Sequence, residues 1–215
     1  MMRSSASLRT PRFIYFDLGN VLLFFSHRRA ARQMAQVAGI DEDLAYECVF
    51  GGGELEYRYE AGEFSSAEFC QRFGAATSSC PDPEQLLLAS ADIFELNAGI
   101  VPIVMHLRRA GHRLGILSNT NEIHWRFVSQ GRYTIIRDAF PVTALSYELR
   151  SMKPEPAIYQ AAADLAGVAP GDIFYTDDRP ENVAGALAAG FDAVQYESPV
   201  QLAADIRRRG VRWNY

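Results

Sequence analysis

Phe13-Ile14-Tyr15-Phe16-Asp17-Leu18-Gly19-Asn20 is the stretch on which the fold turns. Four apolar, β-prone residues run without a polar break, the pattern of a short strand buried on both faces. An acid stands where the run stops, and Leu18-Gly19-Asn20 reads as a loop. Strands buried on both faces belong to parallel sheets covered by helices, and such sheets bind ligands outside the carboxyl ends of their strands. Asp17 is therefore placed for chemistry by the element that precedes it.

The rest of the chain divides around this strand. From residue 99 onward, helical and strand patterns alternate. Helices are predicted over 101–109, 154–166 (with Pro154 in its first turn), 180–189 and 199–209. Strands are predicted over 113–117, within 139–145, and over 173–176 and 193–196. The alternation predicts an α/β fold, a Rossmann-like parallel sheet with helices on both faces. Between 26 and 98 the patterns are helical only: 28–37, 41–50, 53–60, 66–76 and 84–94. Ser65 and Glu68 have the spacing of a capping box ahead of the fourth. Gly51-Gly52-Gly53 lacks the context of a phosphate loop and reads as a turn between helices. The expected organisation is a core of 13–25 and 99–215, an inserted α-helical cap of 26–98, and a frayed tail of 1–12, too short to argue as a trimmed targeting remnant.

Composition narrows the classes. Of 215 residues, 48% are hydrophobic and 22% charged, as in an ordinary globular protein, and the net charge of −5 argues against nucleic acid as a partner. No run of 18 uncharged apolar residues exists, so no membrane partner is expected; the apolar stretch 13–25 contains Asp17, which also disfavours a secretory signal. Cys48, Cys70 and Cys80 form no CxxC pair and read as reduced, structural thiols of a cytoplasmic protein. His27, His106, His112 and His124 lack zinc-ligand spacing. Residues 26–98 hold 13 acidic and 5 basic residues, and the remainder 13 and 16. A net-positive core beneath an acidic insert suits a small anion bound deep, in a monomer or homodimer. Of 21 basic residues 20 are Arg; the one Lys is Lys153. A compact ammonium kept in a chain that otherwise uses guanidinium marks a place where the wider fork does not fit.

Four predicted strand ends carry polar groups: Asp17; Ser118 and Asn119; Lys153 in the loop after 139–145; and Asp177 with Asp178. Singly, each has a structural explanation as a helix cap, turn or solvated loop. Jointly they bring a nucleophile, a hydroxyl, an ammonium and a carboxylate pair to one sheet edge. Clustered carboxylates repel unless a cation intervenes, and Mg²⁺ prefers oxygen ligands. A phosphate brought to that cation finds Lys153, Ser118 and backbone N–H groups, and Asp17 can attack its phosphorus to give an aspartyl-phosphate. A two-component receiver domain also gathers acids, a hydroxyl and a lysine, but places its acid pair first and its lysine last, and leaves the helical insert unexplained.

The motifs Phe16-Asp17-Leu18-Gly19-Asn20-Val21-Leu22, Ile116-Leu117-Ser118-Asn119-Thr120-Asn121, Met152-Lys153-Pro154-Glu155 with Ile158-Tyr159, and Tyr175-Thr176-Asp177-Asp178 with Asn182 resemble those of the haloacid dehalogenase-like hydrolases with a helical cap. The segment Tyr59-Glu60-Ala61-Gly62-Glu63-Phe64-Ser65 is similar to the glucose-1-phosphate phosphatase branch. The resemblance implies Asp17 as nucleophile and Mg²⁺ ligand, with the Gly19 carbonyl, Asp177 and Asp178 completing the metal set. Phosphate would be bound by Leu18, Gly19, Ser118, Asn119 and Lys153, and Lys153 would also neutralise the nucleophile. His27, Arg28, Tyr57, Arg58, Tyr59 and Glu60 are the candidates for substrate contact. Gly19 departs from the pattern, since most phosphatases of the family carry there the Asp that protonates the leaving alcohol. The function implied is a Mg²⁺-dependent phosphatase of a small phosphorylated metabolite, with a sugar 1-phosphate favoured because its anomeric oxygen leaves readily. The alternatives are a 2-haloacid dehalogenase-type hydrolase and a catalytically weak interaction module.

Overall fold

A computed structural model describes residues 10–52 and 54–211. Seven strands are present among them: β1 (Phe13–Phe16), β2 (Leu23–Phe25), β3 (Phe94–Leu96), β4 (Leu114–Ser118), β5 (Val142–Leu145), β6 (Ile173–Asp177) and β7 (Asp192–Gln195). Five of them form one parallel sheet in the order β5-β4-β1-β6-β7. The first strand in the chain is central because the chain winds outward through β4 and β5 and then returns to β1's other side through β6 and β7. The winding direction reverses between β1 and β6, which opens the crevice where such sheets bind ligands.

Helices cover both faces. On one side α10 (Pro156–Ala166) and α11 (Pro180–Ala188) pack over Phe13, Tyr15, Leu117, Ile173 and Tyr175. The other face contributes Ile14, Phe16, Leu114, Ile116 and Phe174 to a larger core with α6 (Val101–Arg109), α8 (Thr134–Ala139) and α12 (Pro199–Arg208). That core continues into the five helices between β2 and β3: α1 (His27–Ala38), α2 (Glu42–Val49), α3 (Leu55–Glu60), α4 (Ser66–Thr77) and α5 (Pro83–Ala91). Asp41 caps α2, and Ser65 with Glu68 closes the expected capping box on α4. No helix among the described residues is long and apolar enough to cross a membrane.

Several expectations are corrected. The helix predicted over 84–94 stops at Ala91, and Phe94–Leu96 instead pairs antiparallel with Leu23–Phe25, joining the two ends of the helical insert. Pro154 is not in a helix: it follows a cis peptide from Lys153, and α10 opens at Pro156. Short helices α7 (Glu122–Phe127) and α8 occupy a stretch to which the sequence assigned no element, and α9 (Ser146–Leu149) lies in the segment read as a loop after 139–145. Residues 1–9 and Gly53 lie outside the described residues, and with them most of the expected tail and one end of the glycine turn. The tail's last residue is docked rather than frayed, since the Arg12 N–H donates to the Asp172 carbonyl at 2.8 Å.

A glycine on β4 leaves room for the aromatic rings of β1. Gly115 lies opposite Tyr15, and a Cβ built on it would stand 2.5 Å from the Tyr15 ring and 2.8 Å from that of Phe13. Gly115→Ala is therefore expected to destabilise the protein by about 1–3 kcal/mol through overpacking. The check is urea denaturation; an unchanged midpoint would show that the rings move aside freely.

Candidate active site

The chain's one lysine stands at the centre of the sheet edge. Lys153 Nζ is 2.8 Å from Asp17 Oδ1 and 2.6 Å from Asp177 Oδ2, and it also lies 3.2 Å from the Leu117 carbonyl and 3.0 Å from the Tyr175 hydroxyl. These groups come from β1, β4 and β6, so the ammonium joins three strand ends. Asn119 fixes the loop that delivers it: its Oδ1 accepts from the Lys153 N–H at 2.8 Å, and its Nδ2 donates to the Lys153 carbonyl at 3.0 Å.

The two acids of β6 differ in availability. Asp177 is fully buried, and both its oxygens are occupied. Oδ1 accepts from the Arg179 N–H and from Asn182 Nδ2; Oδ2 accepts from Lys153, the Tyr175 hydroxyl and Asn182. Asp178 is half-buried, and its side chain accepts one bond, from Asn20 Nδ2 at 3.0 Å. Asp17 accepts the Leu18 N–H and Lys153 through Oδ1, and Oδ2 accepts from no described residue. One oxygen from each of Asp17, Asp177 and Asp178 lies within 4.8 Å of the others.

Electrostatics follow from this packing. Burial pushes the Asp17 carboxyl up to about 7; Lys153 pulls it down, and Asp177 and Asp178 push it back up. Burial would neutralise Lys153, but Asp17 and Asp177 outweigh it and hold the ammonium above the ordinary lysine value. Burial likewise opposes ionisation of Asp177, and Lys153 with its other donors outweighs it, so that carboxylate stays below the ordinary value.

A cavity of about 450 Å³ opens over these groups, lined below by Asp17, Gly19, Ser118, Lys153 and Asp178 and above by His27, Glu56, Tyr57 and Glu60. Of the predicted substrate contacts, His27, Tyr57 and Glu60 reach it. Arg28 instead bonds Asp43 at 2.8 Å and lies over the Tyr46 ring, and Arg58 bonds Glu63 at 2.6 Å. Tyr59 is buried between the Phe64 and Phe69 rings, with its hydroxyl on Ser66. The residues of the predicted phosphate set, Leu18, Gly19, Ser118, Asn119 and Lys153, all line the cavity; there the Asn119 side chain bonds the Lys153 peptide, the Leu18 N–H donates to Asp17, and Ser118 Oγ donates at 3.2 Å to the neighbouring Asn119 carbonyl. Asn182 holds Asp177. Glu56 and His124 were missed by sequence reasoning. Glu56 accepts from Asn121 Nδ2 at 2.9 Å; His124, driven down to about 4 by burial, is neutral and places Nε2 3.2 Å from the Ser90 carbonyl and Nδ1 3.1 Å from Asn121 Nδ2. The one signal in the sequence was the i, i+4 spacing of Glu56 and Glu60, which puts both on one helix face.

Gly19 has no acid to offer, and the space beside it is filled. A Cβ there would stand 2.8 Å from the Phe25 ring, and its backbone is not in the left-handed region, so room and not torsion is what an added side chain would meet.

The five-stranded parallel sheet thus carries, at the end of its central strand, an aspartate that a lysine bridges to a second aspartate on the neighbouring strand, in an α/β fold. The model for haloacid dehalogenase-like hydrolases matches residues 12–190, and the chain belongs to that family. It is 26% identical over 192 residues to the D-ribitol-5-phosphate phosphatase of Bacteroides thetaiotaomicron, covering 86% of this chain and 91% of that protein. Glyceraldehyde 3-phosphate phosphatase of Methanopyrus kandleri is 29% identical over 186 residues, covering 79% and 74%. A crystal structure of a family enzyme from Bacteroides thetaiotaomicron with magnesium and inorganic phosphate superposes with a TM-score of 0.72 at 25% identity, covering 86% of this chain and 94% of that one.

The raised Asp17 value fixes the sign of a stability effect. Its folded value lies above the unfolded one, so the folded state binds the extra proton and stability is lost as pH rises from about 4 to about 7. In chelator, Asp17→Asn is expected to melt above the native protein at pH 8, with the gap narrowing toward pH 5. Thermal melts of both proteins at the two pH values check this, and a native protein that is the more stable at pH 8 contradicts it.

Proposed function

We propose that the protein is a Mg²⁺-dependent phosphatase of a small sugar or polyol phosphate, working through an aspartyl-phosphate on Asp17. The observation that carries the reading is the division of labour around Lys153: the ammonium engages Asp17 Oδ1 and leaves Oδ2 without a protein donor on the wall of the cavity. A nucleophile so held is oriented by one oxygen and reacts through the other. The cavity volume suits a small metabolite, and the helices α1–α5 act as its cap.

The donor set fits a hard cation. Asp17 and Asp178 have free carboxylate oxygens and Asp177 does not, so Asp17 and Asp178 would hold Mg²⁺, with the Gly19 carbonyl as the resemblance implies, while Asp177 holds Lys153. The bound ion would supply positive charge to the phosphoryl oxygens. Asp17 Oδ2 attacks phosphorus; Lys153 and Ser118 bind the phosphoryl oxygens; Asn119 and Asn182 keep Lys153 and Asp177 in place. The relatives named above are phosphatases of ribitol 5-phosphate and glyceraldehyde 3-phosphate, which supports a small phosphorylated carbohydrate. Within that class a sugar 1-phosphate is the finer reading from the floor groups alone, because its anomeric oxygen leaves with least protonation and Gly19 offers no acid. Its test sets a sugar 1-phosphate against the matching 6-phosphate, and equal rates would remove the preference.

Two variants test the mechanism. Asp17→Asn is expected to fold and to lose all turnover of a phosphorylated-metabolite panel; a variant that keeps native turnover ends the covalent route. Lys153→Arg retains the charge but puts a wide fork where four oxygens converge within 3.2 Å. At least a tenfold fall in kcat/KM is expected, about 1.4 kcal/mol, and steady-state kinetics near the native values would show that only charge matters.

A further inference from the structure

Cleavage of an alkyl phosphate needs a proton for the departing oxygen, and hydrolysis of an aspartyl-phosphate needs a base for water. The cavity floor supplies neither. Asp17 is the nucleophile, Asp177 and Lys153 hold each other, and Gly19 has no side chain while Phe25 fills the space beside it. Along the rim, Glu155 accepts from Ser151 at 2.9 Å, and Glu181 pairs with Arg179.

Of the two roof carboxyls, Glu56 and Glu60, only that of Glu60 lacks a hydrogen-bond or ion-pair partner among the described residues. Glu56 is held by Asn121, and both ring nitrogens of His124 have partners. The His27 ring stacks on Phe50 with centroids 4.2 Å apart. Glu60 lines the cavity, and among the described residues its carboxyl has no hydrogen-bond or ion-pair partner. Its backbone, by contrast, is fixed to the sheet edge. The Glu60 carbonyl lies 2.6 Å from Ser146 Oγ, directly after β5, and that oxygen accepts the Thr120 N–H at 3.0 Å, two residues beyond Ser118. The helix end is thus anchored to the strand ends while the carboxyl is left free over them.

We propose that Glu60 is the acid–base residue of this site, acting from the roof in place of the group that Gly19 lacks; the proposal rests on the phosphatase reading. As Asp17 Oδ2 bonds to phosphorus, the bond from phosphorus to the alcohol oxygen breaks and that oxygen takes the proton of the Glu60 carboxyl. Water then bonds to phosphorus, the bond to Asp17 breaks, and Glu60 takes the water's proton, so both residues return to their starting forms and inorganic phosphate leaves. The groups facing Glu60 are Glu56 on its own helix, His124 on α7, and Lys153 and Arg179 at the sheet edge. Burial raises its carboxyl to about 7 against the pull of those two cations, which gives it both forms near neutral pH.

The test uses the full Mg²⁺-loaded chain and two substrates: p-nitrophenyl phosphate, whose phenolate leaves unprotonated, and the primary alkyl phosphate that the native protein hydrolyses best. In Glu60→Gln, kcat/KM for the alkyl phosphate is expected to fall about 100-fold, while that for the aryl phosphate changes by less than about threefold. Because the second step also loses its base, the aryl substrate should show a burst of about one phenolate per enzyme followed by slow turnover. Glu60→Asp should restore part of the alkyl rate, and Glu60→Ala should repeat the split between substrates if the Gln variant does not fold. Equal losses on both substrates, or an effect confined to KM, would overturn the role of Glu60 and leave the phosphatase reading standing. A native protein that hydrolyses neither substrate, and no other phosphate monoester, would overturn both.

Discussion

One buried ammonium holds the site together. Three charged side chains, Asp17, Lys153 and Asp177, lie almost wholly out of water at the sheet edge. Burying any one alone would cost several kcal/mol; Lys153 offsets that cost in full for Asp177 and in part for Asp17, and the two carboxylates keep the ammonium charged. The surrounding polar groups follow from that requirement. Asn182 and the Arg179 N–H satisfy the oxygens of Asp177, Tyr175 donates to the same carboxylate, and Asn119 clamps the peptide of Lys153. An ammonium has three donors on a point and can be shared among converging oxygens; a guanidinium is planar and cannot. The other 20 basic residues of this chain are arginines, and the exception falls where the geometry excludes them.

The sheet order supplies the convergence. Asp17 and Asp177 are 160 positions apart in sequence, yet β1 and β6 are neighbours, paired from Phe13 with Ile173 to Phe16 with Thr176. That register puts the residue after β1 beside the last residue of β6, and the parallel arrangement puts both at the same edge. Lys153 arrives from the loop after β5, two strands away, and its long side chain spans the gap across the Leu117 carbonyl. A one-residue slip of β6 would turn Asp177 to the other face of the sheet, so the buried charges also act against misregistration.

Much of this was legible in the sequence, for identifiable reasons. The strands read clearly because they are uninterrupted apolar runs that stop at polar residues, and the site residues fell at those stops. What was not legible depends on contacts between distant segments. Leu23–Phe25 and Phe94–Leu96 are each three residues long, too short for a period, and define each other only by pairing. The position of Asn119 at a strand end is legible, but its clamp on the Lys153 peptide depends on a residue 34 positions away. Arg28, Arg58 and Tyr59 had the right chemistry in the right segment but the wrong helix faces. In α3, the face that reaches the cavity is the one with Glu56 and Glu60, and Tyr59 points into the hydrophobic core.

The two walls of the cavity are built on different terms. Below, nearly every polar atom has a protein partner, and the positions follow from the sheet, so the floor is preorganised and admits little variation. Above, α3 is only six residues long and is attached to the sheet edge through few hydrogen bonds: Glu56 to Asn121 and the Glu60 carbonyl to Ser146. Tyr57 on the same helix is 55% exposed. A wall with so few ties can change its side chains without disturbing the buried charges beneath it. The floor is therefore fixed by the sheet, while Tyr57 and Glu60 take their positions from the six-residue α3 and His27 from the start of α1.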